Sequence, residues 1–438
     1  MLALLALVGY TVLLTQTMDT ESYNTWGALF MVPVVVGLNL VLLNTVRRGK
    51  DQWITGVVLV GFFLKLLGIF GRYFMAYVLY GGGSDAERYN LYAAEHYFEW
   101  RKGNFLWEVG EKAGTQTMEL ITTAVYFVIG PSTLTAFFVF GSFAFWGVYL
   151  IFRAFQIAVP EGDQRRYAVL VFLLPSLLFW PSSIGKESWL MLFVGVAAYG
   201  AARFFAGQIA LGLPVIILGL FGSALIRPHV TVLFTAALLV AQLMRPTRAN
   251  STGVLTKFLG VVVMGAAVLV MTTQSAEFLG IEDITIDAVS QEIEYRSDNT
   301  AQGGSAFEPV PLSHPLGVPA AIGTVLFRPF PWEASGPAML AQSAESVLLI
   351  GLFALAVPRL RSLPGFFRRN PYVVFAVVYA LAFIIAFAGF SNFGILARQR
   401  VLMLPFVLVM LALPVKPKTK KKRTPQYVGP RPVLYAGR

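Results

Sequence analysis

The chain has 438 residues, 56% of them hydrophobic and only 13% charged, with a mean hydropathy of +0.67. Soluble domains carry about 25% charged residues, so this composition excludes an ordinary water-soluble fold and assigns the surplus apolar surface to lipid. The net charge of +11 has the right sign for nucleic acid, but the positive residues sit in short loops beside hydrophobic runs, and no nucleic-acid partner is expected.

A helix needs about 20 apolar residues to cross the hydrocarbon of a bilayer. Runs of this kind predict spans over 2–16, 27–46, 53–79, 133–152, 167–184, 188–206, 209–226, 229–244, 254–272, 337–357, 371–390 and 401–415. The first is short and lacks a basic leader or a small-residue cleavage site, so it reads as an anchor rather than a signal peptide. Two long loops interrupt the series. Residues 81–118 open on Gly81-Gly82-Gly83-Ser84-Asp85 and continue through Tyr89, Tyr92, Tyr97, Phe98 and Trp100, a pattern that predicts a helix lying in the interface. Residues 273–336 begin acidic, with Ile286, Val289 and Ile293 at helical spacing, and end in LFRPFPWEASGP. That piece is too rich in proline to span and is expected to form a re-entrant or interfacial turn buried in protein. Residues 416–438 carry KPKTKKKRTPQ without apolar periodicity, which predicts a disordered basic tail held near anionic headgroups. The expected fold is all-α and polytopic: one transmembrane domain over 1–415 with about twelve transmembrane helices, and interfacial helices in two long outer loops.

Orientation follows from the Lys/Arg bias of short loops. With Arg47, Arg48 and Lys50 placed inside, alternation puts Arg153, Arg165, Arg166, Arg203, Arg245, Arg248, Lys257, Arg359, Arg361, Arg368, Arg369 and the tail on the same side. The inner segments then hold 22 basic and 3 acidic residues, and everything else holds 12 basic and 20 acidic. Both termini are expected in the cytoplasm, with loops 81–118 and 273–336 outside.

The absence of cysteine excludes disulfides, thiolate catalysis and Cys-type zinc sites. The histidines are His96, His229 and His314, without HExxH spacing, so neither a metal nor a cofactor is expected. What remains is a set of basic residues that break the charge rule: Lys186 in WPSSIGKESW, Arg227 in LIRPHV, Arg328 in FRPFPWE, and Arg398 and Arg400 in NFGILARQR. All five fall near outer helix ends. One such residue is accounted for by snorkelling, and Lys65 and Arg72 in or near the third span read that way or as partners of loop carboxylates. Five on one face point to a binding site, because ionisable groups at membrane depth are costly and an arginine fork matches two phosphate oxygens. A lipid-linked pyrophosphate is the ligand that such a set suits.

A transfer to a hydroxyl also needs a proton acceptor. Asp85 is the first candidate, freed by the glycine run to reach an acceptor without neutralising the arginines; a helix N-cap is its structural alternative. Glu333, five residues beyond Arg328, comes second, since a nearby arginine would depress its pKa. His229 is the third. Glu187 is expected to pair with Lys186. Trp332, with other boundary aromatics, is a candidate to stack on a sugar.

The pieces GGSDAERYN, WPSSIGKES, LIRPHV, FRPFPWE and ARQR, set in twelve expected spans with a large outer loop between the ninth and tenth, resemble the bacterial polysaccharide polymerases and O-antigen ligases of the Wzy and EpsG-like type. The resemblance implies a GT-C-like membrane glycosyltransferase in the bacterial inner membrane. It implies glycan transfer from a polyprenyl-pyrophosphate-linked donor to a glycan acceptor, with arginines gripping the pyrophosphate and other envelope-polysaccharide assembly proteins as possible partners. A transporter or flippase of lipid-linked oligosaccharide is the competing reading; it would place polar residues near the midplane, whereas here they gather at outer helix ends.

Overall fold

The computed structural model describes residues 2–20, 22–46, 51–105, 107, 113–246, 251–279, 305–308, 310 and 314–415. Among these, every regular element is helical, and strand-type pairing is confined to an isolated antiparallel bridge between Ala306 and Asn392. The chain runs through α1 (Leu2–Thr20), α2 (Tyr23–Val46), α3 (Gln52–Phe74) with a π-helical extension (Met75–Leu79), α4 (Asp85–Arg101), α5 (Ala113–Ile129) and α6 (Thr133–Ala158). It continues through α7 (Gln164–Leu173), α8 (Pro175–Phe179), α9 (Lys186–Phe205), α10 (Ile209–Ala224), α11 (Pro228–Met244) and α12 (Ser251–Leu279). The last elements are α13 (Gly317–Phe327), α14 (Pro337–Leu360), α15 (Leu363–Phe367), α16 (Pro371–Ala386), α17 (Phe393–Arg400) and α18 (Leu404–Leu411).

Five of the described helices, α2, α3, α6, α9 and α14, are long and apolar enough to cross a membrane, and α17–α18, bent by 65°, makes a sixth if taken as one broken span. Their outward faces carry exposed Leu38, Leu67 and Leu355, as surfaces against lipid do. The other expected spans differ for identifiable reasons. Over 167–184 the helix stops at Leu173 and Leu174 turns extended, because the residue before a proline is driven out of the helical region. Helices α10, α11 and α16 have 16, 17 and 16 residues, about 24–26 Å at 1.5 Å per residue, against about 30 Å of hydrocarbon. In the first long loop, α4 forms the helix expected over the aromatic run, but α5 begins before residue 118 and extends well past it. The expected helical spacing of Ile286, Val289 and Ile293 and the expected disordered tail over 416–438 lie outside the described residues.

Helix α6 is the axis of the molecule, with Phe137, Phe140, Ile151 and Phe155 fully buried. It packs on α9 through glycine: a Cβ on Gly147 would overlap the Met191 carbonyl, and one on Gly195 would overlap the Gly147 backbone. Small residues let backbones approach this closely where no hydrophobic drive exists between helices. The interruption around α8 explains Lys65. Its buried ammonium donates to the carbonyls of Leu177 and Pro181, at 3.2 and 2.8 Å, groups that a broken helix leaves without partners. It is neither a snorkelling side chain nor a carboxylate partner.

Candidate functional site

Four helix ends bring charged residues together. Helix α9 starts at Lys186-Glu187 after the loop Trp180–Gly185, and α11 starts at Pro228 with Arg227 as its N-cap. Helix α17 is started by Asn392, whose side chain accepts from the N–H groups of Gly394 and Ile395, and ends on Arg398 and Arg400. Helix α4 starts at Asp85 after Gly81 and Gly82, both at positive φ (55° and 85°), a conformation that glycine adopts without a Cβ clash.

Glu187 is the node of the cluster. Its Oε1 lies 2.9 Å from Arg398 Nε and 3.2 Å from Arg227 Nη2, and its side chain is only 4% exposed. Both terminal nitrogens of Arg398 donate to Asp85 Oδ2 at 3.0 Å. Arg227 also donates to Gln399 Oε1. Lys186 donates to Thr115 Oγ1 at 2.9 Å, and it lies within electrostatic reach of Arg227, Asp85, Glu187 and Arg398. Arg72 joins from α3: its guanidinium stacks over Phe179 and Trp180 at 5.3 and 5.2 Å, and it reaches electrostatically to Arg398, Glu187 and Asp85. Tyr89, buried one turn along α4, keeps its proton, because burial and the nearby Asp85 and Glu187 carboxylates push its phenol up. These side chains amount to four cations (Arg72, Lys186, Arg227, Arg398) against two carboxylates (Asp85, Glu187). Buried charges are stable only when paired, so the surplus positive charge makes this a place for an anion.

The other predicted residues fall elsewhere. Arg328 forms a forked pair with Glu333, through Nε at 2.8 Å and through Nη2, and its guanidinium lies against the stacked pair Phe307–Phe393, 4.5 and 4.9 Å from the two ring centroids. Burial works against ionisation of Glu333, but the hydrogen bonds from Arg328 and the Phe330 N–H outweigh it and hold the carboxyl below its usual range. Trp332 is 80% exposed and stacks on Phe330, so this turn is not buried in protein as expected. Arg400, two residues from Arg398 on the opposite side of a short helix, is fully buried; it donates to the Arg328 carbonyl at 3.0 Å and stands 3.8 Å from Glu345. His229 packs near Phe387.

Two expectations are corrected by this geometry. Asp85 is not clear of the arginines: it is bonded to Arg398. Glu187 does not pair with Lys186, because neighbours on a helix point about 100° apart; its partners come from α11 and α17. That angular separation was the available signal that Glu187 needed a remote partner. Arg72 carried the signal of a charge in or near the third span, and the carboxylates within its reach are Asp85 and Glu187; Thr115 and Gln399 carried none, since each reads as an ordinary residue in its own helix.

Beside the cluster an apolar groove of about 740 Å³ opens between α2, α5, α6 and α9, with Leu38, Val125, Val139, Trp146 and Trp189 among its walls. Its polar group, Asn39, is satisfied by the Val35 carbonyl, Ser142 and Trp146, so the wall is dry. Trp189 lies one turn along α9 from Lys186, and α5 leads from the groove back to Thr115. Among the described residues no group of three His, Cys, Asp or Glu side chains could hold a metal ion. No family model, curated protein or solved structure matches the chain.

Proposed function

We propose that the chain is a membrane glycosyltransferase of the polysaccharide polymerase or ligase type, which joins glycan units on the outer face of the bacterial inner membrane from a polyprenyl-pyrophosphate-linked donor. The observation that carries this reading is the conjunction of a cation-rich cluster at helix ends with a dry lateral groove. A molecule with an anionic head and a long hydrocarbon chain suits both at once. In the finer topology that goes with it, α1, α7–α8, α10, α11, α12 and α16 also cross. Together with the six span-capable segments they make twelve crossings, with both termini inside.

In this mechanism the donor phosphates take Arg398 and Arg227, whose planar forks suit paired oxygens. Asp85 is the half-exposed partner of Arg398 and is the one displaced. Released from the arginine, its carboxylate accepts the proton of the acceptor hydroxyl as that oxygen bonds to the anomeric carbon. The bond from that carbon to the phosphate oxygen breaks, and its electron pair leaves on the pyrophosphate, held by the two arginines. Buried Glu187 stays in place and keeps the arginines aligned between turnovers.

The test is reconstitution of the purified chain with a lipid-linked pyrophosphate glycan. Polymer should form with wild type and be lost in the Arg227→Ala/Arg398→Ala double variant. Normal polymer yield from a well-expressed double variant sinks the proposal. Movement of the lipid-linked glycan across the bilayer without a new glycosidic bond replaces it with the flippase reading.

A further inference from the structure

A second cavity, of about 440 Å³, lies between the last turns of α3 with its π-helical extension (Gly71, Met75, Leu79), α8 with Trp180, and the first turns of α14. Its walls are apolar except for Ser176, Gln342 and Glu345. Glu345 sits eight residues into α14, about 12 Å from its start at 1.5 Å per residue, and is buried. Its Oε2 accepts the Ser176 N–H at 2.6 Å. Its Oε1 has no hydrogen-bond partner and stands 3.8 Å from Arg400 Nη2, too far for a hydrogen bond. Gln342 Oε1, one turn earlier on the same face, is also buried and unpartnered. Behind Glu345, fully buried Arg400 gives Nη1 to the Leu326 and Arg328 carbonyls, and leaves Nε and Nη2 without partners.

Buried polar atoms without partners are unfavourable and call for an explanation. Here two acceptors, Glu345 Oε1 and Gln342 Oε1, are left over at one end of an otherwise apolar cavity, with the spare donors of Arg400 behind Glu345. One carboxylate faces one guanidinium, so this end carries no net charge, while Arg72 of the charged cluster is stacked on the Phe179 and Trp180 rings of another wall. A hydroxyl supplies the donor that Glu345 Oε1 or Gln342 Oε1 lacks, without bringing a charge. The remaining walls, Met75, Leu79, Phe179 and Trp180, take hydrocarbon, and Ala338 and Ala341 are exposed at the rim. The dry groove beside the charged cluster has no such unpartnered atoms, which separates the two chemistries. We infer that this cavity is a binding site for a neutral amphiphile with a hydroxyl head, inserted head first so that the hydroxyl meets the free oxygens of Glu345 and Gln342. The site stands independently of the proposed transferase activity.

The experiment uses the full chain in detergent and three photolabels: a diazirine-bearing hexadecanol, the same chain ending in methyl, and its phosphate monoester. The alcohol should label the stretches 175–180 and 338–345 in preference to the other two. Ala341→Trp, which fills the cavity, should lower that labelling about tenfold, the equivalent of about 1.4 kcal/mol. Gln342→Leu, which keeps the shape and removes one acceptor, should reduce the preference for alcohol over hydrocarbon severalfold. Equal labelling by the hydrocarbon shows boundary lipid or water alone and overturns the proposal, as does stronger labelling by the phosphate. Alcohol labelling that survives in well-folded Gln342→Leu with its preference intact also overturns it, even if Ala341→Trp fails to fold.

Discussion

Glu187 holds two arginines from two other helices with a single oxygen, and its 4% exposed side chain makes it the residue whose loss is felt most. Removing one partner of a buried ion pair leaves the other charges uncompensated, at about 3–5 kcal/mol. Glu187→Ala should therefore lower the melting temperature sharply, and added pyrophosphate should restore more of it than it adds to wild type; no differential rescue would remove the anion from the argument. Asp85→Asn has a split signature. It loosens the hold on Arg398, so donor affinity should rise, while turnover falls roughly 10²–10⁴-fold, the usual share of a general base. Retained turnover would pass the role to Glu333 or His229. Glu333 itself predicts a pH effect. Its carboxyl is held low in the folded state, so its pairing with Arg328 stabilises above the ordinary carboxylate range and is lost as pH falls through the folded value. The melting temperature of wild type should drop more steeply in acid than that of Glu333→Gln, and equal slopes would show that the pair contributes nothing.

At the scale of elements, the site depends on how closely α6 and α9 pack, because α9 delivers Lys186 and Glu187. A Cβ on Gly147 has no room beside the Met191 carbonyl, whereas one on Gly37 meets nothing within 4 Å. Gly147→Ala should cost about 1–3 kcal/mol, as overpacked cores do, and weaken anion binding with it, while Gly37→Ala should leave both unchanged. Equal melting temperatures for the two variants would show that α6 and α9 can part without cost. Hydropathy made most of these helices legible in sequence, and the aromatic run after Asp85 announced α4. It did not announce the breaks. Pro175 lies inside a run as apolar as any span, and the bend between Arg400 and Leu404 falls where the apolar run of 401–415 begins; apolarity reports on transfer into lipid, not on backbone continuity.

For the whole molecule, the charge bias of the short loops is the basis of the proposed orientation, and the absence of cysteine makes that orientation simple to test. Asn104, exposed between α4 and α5, and Gln208, exposed between α9 and α10, belong to opposite sides in the proposed topology. Asn104→Cys should react with an impermeant thiol reagent in intact cells, and Gln208→Cys only after permeabilisation. The reverse pattern would turn the charged cluster inward and remove the outer-face reaction. The sequence by itself determined that the chain is helical and built for lipid, because a backbone in hydrocarbon must satisfy its own hydrogen bonds and its side chains must be apolar. It also picked out Lys186, Arg227 and Arg398 as charges out of place, and Asp85 as the first candidate proton acceptor. Only the tertiary structure decided that these four meet at Glu187, and that Arg328 and Arg400 belong to other networks. Asp85 and Arg398 are 313 residues apart, and no local spacing encodes which helix ends converge. Within α17, two residues of helical rotation send Arg398 to the cluster and Arg400 into the interior, a direction fixed by where α17 breaks from α18 rather than by composition.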